Sequence, residues 1–272
     1  MKRKSIFLFD IDGTLAVDST LYEGTRCLLE FIESIGGHSF FITNNSTKSR
    51  KDYVKKFEAW DLDVKEEQFM TASYAAVQYL LRYMPGKKLY VIGTPSFAAE
   101  LKEAGVCVTE SAEEDGIQGV LAGFDTSFTY AKAQDACRIL FENPDLPFLA
   151  TNPDLRCPAS FGFIPDCGSI CGMIKAATDR EPLYIGKPNA LMAEMCIERC
   201  HGEKKDALVV GDRLYTDIAC GMEAGIETAL VFTGEARPQD LEATPWPPDY
   251  AYDNIQRLYE AVRSAWEKGC RA

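Results

Sequence analysis

The amino-acid sequence predicts an α/β protein: a doubly wound parallel sheet, with a second α/β domain inserted into the chain. Three observations lead there. Short apolar runs alternate with helical stretches over short connections, from residue 5 to residue 83 and again beyond residue 182. The alternation starts afresh at Lys87, as it would in a separate domain of about a hundred residues. Two of the runs, residues 5–9 and 207–211, are almost wholly apolar and stop at a carboxylate, the pattern of central strands buried on both faces.

Residues 5–9 read Ser-Ile-Phe-Leu-Phe and run into Asp10, with Asp12, Gly13 and Thr14 behind it. Carboxylates at the end of a buried strand cost free energy unless a cation or hydrogen bonds compensate. Gly13 lets the backbone turn and come close to a ligand. The stretch reads as a carboxylate site for a metal ion and an anionic substrate or, taken alone, as a strand ending in an acidic surface turn. Residues 21–35 place Leu28, Leu29, Phe31, Ile32 and Ile35 at helical spacing, closed by Gly36 and Gly37. Residues 39–45 form a short apolar strand ending in Thr43, Asn44 and Asn45. Residues 46–60 are helical in pattern, with Ser46 or Thr47 as N-cap. A short strand at 68–71 and a helix over 72–83 bring the chain to Pro85 and Gly86.

In the inserted part, strands are expected at 89–92, 106–109, 119–124 and 147–150, and helices at 96–104 and 130–141. Residues 110–115 are a solvated acidic loop. Thr151-Asn152-Pro153-Asp154 opens a long loop carrying Pro158 and Pro165. A helix over 168–178 follows, with Ile170, Met173, Ile174 and Ala177 on one face. Breaks near 84–86 and 179–182 assign residues 85–181 to the inserted domain, and residues 1–84 with 182–272 to the main one. The main domain then resumes with residues 183–188, a helix over 189–200, and the strand 207–211 ending at Asp212. A helix over 215–224, a strand over 226–232, an edge strand at 250–252 and a closing helix over 255–266 complete it.

Composition narrows the function. The chain has 272 residues, 46% hydrophobic and 26% charged, with a formal net charge of -12. That charge argues against nucleic-acid polymers and anionic membranes as partners. It leaves room for a phosphorylated small molecule, because a metal ion and a few donors reverse the field inside one cleft. No apolar run approaches the roughly 20 residues that span a bilayer. The basic start lacks the features of a secretory signal, so a cytoplasmic setting is expected. The ten cysteines include no C-x-x-C pair. Cys167 with Cys171, and Cys196 with Cys200, are one helical turn apart and read as helix-face thiols in preference to a zinc site.

Asp10, Thr43 and Asp212 each fall just past the carboxyl end of an expected parallel strand, and Lys187 sits in a turn before a helix. Open α/β sheets bind ligands at that edge. These residues resemble the haloacid dehalogenase (HAD) superfamily, in its phosphatase branch. Phe7-Leu8-Phe9-Asp10-Ile11-Asp12-Gly13-Thr14 matches the first motif of that family, and Thr43 with Asn44 and Asn45 matches the second. Lys187 matches the third, and residues 211–217, from Gly211 and Asp212 to Asp217, match the fourth. The insertion between the second and third motifs looks like the α/β cap of the NagD-like, p-nitrophenylphosphatase-like subfamily. The resemblance implies a Rossmann-like core, a cap domain and hydrolysis of small phosphate monoesters. Asp12 fits that chemistry, since relatives that cleave carbon–halogen bonds lack a carboxylate there.

Phosphoryl transfer needs an in-line nucleophile and neutralised phosphoryl oxygens. Asp10 is placed to attack and form an aspartyl-phosphate, and Asp12 to protonate the leaving oxygen and later deprotonate water. The hard oxygens of Asp10, the Asp12 carbonyl and Asp212 suit Mg²⁺, with Asp217 holding that set in place from behind. Thr43, Asn44 and Lys187 are expected at the phosphoryl oxygens. Each has a plainer reading. Thr43 caps a helix, Asp217 caps or pairs on its own helix, and Lys187 is a solvated lysine, although Gly186 and Pro188 fix its turn. A phosphotransferase or mutase on the same core and a non-catalytic binder of phosphorylated metabolites stand as alternatives. In the cap, Ile164-Pro165-Asp166-Cys167-Gly168-Ser169 replaces the subfamily's glycine-rich Pro-Gly turn. Asp166 there reads either as a contact to substrate hydroxyls or as a solvated loop carboxylate. Many relatives dimerise through the cap, so a homodimer is the oligomer the resemblance suggests.

Overall fold

The computed structural model describes residues 1–46, 48–159 and 161–269. Thr47, one of the two expected caps of the second helix, lies outside them. The chain resolves into two compact units, Met1–Thr43 with Tyr53–Met70 and Lys187–Ala272, and Asn44–Asp52 with Thr71–Gly186. The second unit therefore reaches beyond the expected 85–181 at both ends. Strand Leu183–Tyr184 pairs in parallel with Phe148–Ala150, so the chain stays with that sheet up to Gly186. Helix Ala72–Tyr83 packs on helix Pro95–Glu103. Residues 44–52 are held by bonds to later parts of the same unit, Phe124 N–H to Ser46 Oγ among them at 3.2 Å.

The first unit carries a six-stranded sheet in the order Tyr250–Tyr252, Glu227–Val231, Ala207–Gly211, Ile6–Phe9, His38–Thr43, Phe69–Thr71. From Ile6–Phe9 the chain winds one way to His38–Thr43 and, much later, the other way to Ala207–Gly211. The switch in direction thus falls between Ile6–Phe9 and Ala207–Gly211, the crevice where open α/β sheets take their ligands. Both of these strands are buried at every position, as their apolar sequences require. Phe9 pairs with Val210 on one side and Phe41 on the other, in parallel. Below them Phe41 meets Phe57 at 4.5 Å and Phe69 at 5.1 Å between ring centroids. Such rings each contribute about 2–3 kcal/mol by leaving water. Helix Ile255–Gly269 buries Ile255, Leu258 and Val262, and helix Thr25–Ser34 buries Leu28 and Ile32, on the same core.

Two local expectations change. The first helix starts at Thr25 instead of residue 21, because Gly24 takes a left-handed φ of 88° and Leu21 belongs to a short antiparallel ribbon with Ala16–Val17. The second spans only Arg50–Glu58. Its start is set by Ser49, whose Oγ accepts from Asp52 N–H at 3.3 Å while Asp52 Oδ2 accepts from Ser49 N–H at 3.0 Å. Ser46 is occupied with Phe124 and does not cap.

The second unit has a five-stranded parallel sheet ordered Leu183–Tyr184, Phe148–Ala150, Ile117–Ala122, Lys88–Ile92, Val108–Thr109. Thr71, Thr94 and Thr129 cap its helices through their side chains. The expected long loop contains an antiparallel hairpin, Arg156–Ala159 with Gly162–Pro165. Pro158 is compatible with it because a two-stranded ribbon has only edges. Among the described residues no helix is long and apolar enough to cross a membrane.

Candidate active site

Asp10 continues the ladder of strand Ile6–Phe9 by one residue, its N–H donating to the Val210 carbonyl at 2.9 Å. By the same register it lies level with Gly211 and Ile42, one residue short of Asp212 and Thr43. Lys187 meets this edge from the later chain. Its Nζ donates to Asp10 Oδ1 and to Asp217 Oδ1, both at 2.6 Å, and to the Ile42 carbonyl at 3.2 Å. The ammonium is 2% exposed, so the solvated-lysine reading falls away. Burial alone would depress the Lys187 pKa. Asp10 and Asp217 outweigh it and hold the group well above its ordinary value.

Asp212 is enclosed by donors and by missing side chains. Thr14 Oγ donates to Oδ1 at 3.1 Å and the Glu235 N–H to Oδ2 at 2.7 Å. A Cβ on Gly13 would stand 2.8 Å from Asp212 Oδ2, and one on Gly234 only 1.9 Å away. Gly13, at φ 96°, is also in the left-handed region. Burial, and then the neighbouring Asp217, push the Asp212 carboxyl up to about 6, against the pull of Glu235 N–H, Arg213 and Thr14. Asp217 lies on the wide π-helical turn Leu214–Ile218, 1% exposed, with Oδ2 accepting from Arg213 N–H at 3.0 Å. Asp10 is likewise pushed well above the ordinary carboxylate range, first by burial and then by Asp217 and Asp212, with Lys187 opposing.

Asp10, Asp212 and Asp217 bring carboxylate oxygens within 4.8 Å of one another. Three carboxylates face one ammonium, so two negative charges are left over when all are ionised. Hard oxygen donors, excess negative charge and the space left open by Gly13 and Gly234 fit a divalent cation. Thr43, 4% exposed, ends its strand beside this cluster. Asp12 belongs to the same turn, but its carboxylate is half-exposed and accepts from Lys56 Nζ at 2.7 Å.

Two expected site residues are engaged elsewhere. Asn44 falls in the second unit, where its Nδ2 donates to Asp154 Oδ2 at 3.1 Å and its carbonyl accepts from Asn152 Nδ2 at 2.9 Å. Asp166 is 6% exposed, and its Oδ1 accepts from Cys167 N–H at 2.5 Å. It caps helix Cys167–Thr178, which replaces the reading of a solvated loop carboxylate. In the other direction, sequence reasoning missed Lys56 and the Glu235 N–H. Both meet the site through partners distant in sequence, which no local spacing announces.

The switch-point crevice, the carboxylate cluster and the buried lysine agree with the comparisons to known proteins. The chain matches the family model described as haloacid dehalogenase-like hydrolase over residues 7–107, and a second HAD-hydrolase-like model over residues 184–258. It belongs to the haloacid dehalogenase-like hydrolases, in the NagD-like branch, and is an enzyme acting on phosphate monoesters. It is 35% identical over 262 residues to the chloroplastic phosphoglycolate phosphatase 1A of Arabidopsis thaliana, covering 87% of this chain and 71% of that one. Among solved structures it is similar to a 4-nitrophenylphosphatase from Thermotoga maritima, with TM-score 0.89, 34% identity and coverage of 95% and 97%. NagD from Escherichia coli K-12 superposes with TM-score 0.83 at 30% identity, covering 94% of this chain and 98% of that one.

Proposed function

We propose that this chain is a cytoplasmic, Mg²⁺-dependent phosphatase that hydrolyses small phosphate monoesters through an aspartyl-phosphate on Asp10, with the second unit serving as the cap that selects substrate. The observation that supports it most is Lys187 bridging Asp10 and Asp217 at 2.6 Å, at the tip of the switch-point strand. Phosphoglycolate and 4-nitrophenyl phosphate, the substrates named for its relatives, belong to this substrate class.

Asp10 Oδ1 is held by Lys187, which leaves the carboxylate's other oxygen to attack phosphorus in line. As the ester oxygen departs it takes a proton from Asp12. Asp12 then accepts a proton from the water that attacks the aspartyl-phosphate, returning Asp10 and releasing inorganic phosphate. Lys187 and Thr43 donate to the phosphoryl oxygens. Asp10, Asp212 and the Asp12 carbonyl would hold Mg²⁺, which would supply further charge neutralisation at those oxygens. Both Asp217 oxygens are already engaged, by Lys187 and Arg213 N–H, which suits a residue that orients its neighbours. The Asp12–Lys56 pair is half-exposed, and exposed pairs are worth at most about 1 kcal/mol, so Asp12 is readily released for its proton work.

The test is phosphate release from p-nitrophenyl phosphate, nucleoside monophosphates, sugar phosphates, glycerol phosphate and phosphoglycolate, with Mg²⁺ or with chelator. Turnover should require Mg²⁺ and fall by at least about 10³-fold in Asp10→Asn. Turnover that survives Asp10→Asn overturns the nucleophile assignment, and phosphate appearing on an added alcohol in place of water points to a transferase.

A further inference from the structure

Tyr53 lies on helix Arg50–Glu58 and is completely buried. Its ring stacks on Phe69 at 5.7 Å, within the aromatic core that also holds Phe9, Phe41 and Phe57. A phenylalanine would fill that place. The tyrosine instead carries its hydroxyl into the core, where the oxygen finds no hydrogen-bond partner of full geometry among the described residues. Buried hydroxyls are nearly always satisfied, and leaving one unsatisfied is costly. The groups around this one are those of the candidate site: Asp12, Thr43, Asp10 and Lys187. Burial, then Asp12, push the phenol well above its ordinary pKa against the pull of Thr43, so it keeps its proton and has a hydrogen to donate toward these neighbours.

We propose that Tyr53 is a positioning residue, donating its hydroxyl hydrogen to Thr43 Oγ when phosphate is bound. A threonine hydroxyl has one hydrogen and two acceptor sites. For Thr43 to give its hydrogen to a phosphoryl oxygen, that hydrogen must point into the crevice, and a donor on the opposite side enforces this. Tyr53 is a buried hydroxyl next to Thr43, carried by the helix that follows its strand. The packed aromatic core holds the hydroxyl in place, so the donor is ready before substrate arrives. The inference rests on the phosphatase reading above.

Four proteins test it: wild type, Tyr53→Phe, Thr43→Ala and the double variant, each measured for p-nitrophenyl phosphate hydrolysis, inhibition by inorganic phosphate, and Tm. Tyr53→Phe should keep or raise Tm, lower kcat about tenfold and weaken phosphate inhibition, the scale of one hydrogen bond. In the Thr43→Ala background the same change should have no further effect beyond about twofold. A kcat within twofold of wild type overturns the proposal, as does a tenfold loss that persists without Thr43. So does a fall in kcat accompanied by a fall in Tm, which is the signature of a packing role. Asp10→Asn run alongside separates the two readings. If it abolishes turnover while Tyr53→Phe changes nothing, only the positioning role fails; if it leaves turnover intact, the phosphatase mechanism itself fails.

Discussion

At the end of strand Ile117–Ala122 in the second unit, Asp125 is fully buried and meets Lys132 Nζ at 2.6 Å. Lys132 also donates to the Gly93 carbonyl at 3.2 Å and to Ser127 Oγ at 3.3 Å. At the corresponding edge of the first sheet Asp10, Asp212 and Asp217 share one lysine. The two clusters differ in charge balance: one carboxylate to one ammonium around Lys132, three to one around Lys187. They differ in space as well. The second unit's strand-end glycines, Gly93 and Gly123, are backed by the Phe97 ring, which a Cβ would meet at 2.4 and 2.9 Å. In the first unit Gly13 and Gly234 are backed by the Asp212 carboxylate. The strand end at Asp125 is thus closed, with its charge paired and the space beside its glycines filled. In the first unit three carboxylates share a single lysine, which leaves negative charge uncompensated when all are ionised.

The largest expected effect breaks the open edge. Asp212→Asn removes a carboxylate from a site that has too many, so Tm in chelator should stay level or rise. Activity with saturating Mg²⁺ should nevertheless fall by roughly 10³-fold, because a ligand for the neutralising cation is lost. Paired thermal melts and initial rates decide it. A large loss of Tm with activity retained would mean that Asp212 serves the fold.

The closed edge should respond in the opposite sense. Lys132→Met leaves Asp125 buried without its counter-charge, which costs about 4 kcal/mol for a pair of this kind. Denaturation midpoints should show the loss, while kcat and KM of the folded protein stay within about twofold of wild type. A change in KM without a change in stability would make Lys132 part of substrate recognition and end the contrast.

Much of the open edge was legible in the sequence because its information is local. Residues 5–9 and 207–211 are apolar at nearly every position, which only a strand buried on both faces explains, and each is followed at once by its carboxylate. The register of a parallel sheet then brings Asp10, Thr43 and Asp212 together. What was not legible depends on distant partners. Asn44 bonds to Asp154, 110 residues away, and nothing near residue 44 announces it. Lys56 reaches Asp12 across 44 residues from a helix face that looks merely solvated. Asp166 stood out because its stretch replaces the subfamily's glycine-rich Pro-Gly turn; that it caps the helix beginning at Cys167 depends on where that helix starts, one residue earlier than the expected 168. The hairpin at Arg156–Ala159 was hidden by Pro158, which breaks a central strand but not a two-stranded ribbon.

The smallest effect sharpens the comparison through pH. The Asp212 carboxyl stands at about 6 in the folded chain against an ordinary 3.8, and Asp10 is raised in the same direction. A carboxyl whose folded pKa is raised contributes stability while protonated, fully below about pH 4, and loses that contribution as pH rises through about 6. For Asp212 the loss amounts to about 3 kcal/mol, several degrees in Tm. Glu227 acts oppositely: burial would raise it, but Lys2, Tyr250 and Lys4 hold it down at about 2. Its contribution is complete above about pH 5 and lost only as pH falls toward 2, outside the window of interest. In chelator, Tm should therefore decline between pH 5 and 8, and the decline should shrink in Asp212→Asn. Mg²⁺ should raise Tm more at pH 8 than at pH 5, since only the ionised carboxylates bind it well. A Tm that holds level from pH 5 to 8 in chelator, with an equal Mg²⁺ effect at both ends, would show that the three carboxylates are already balanced, as Asp125 is by Lys132.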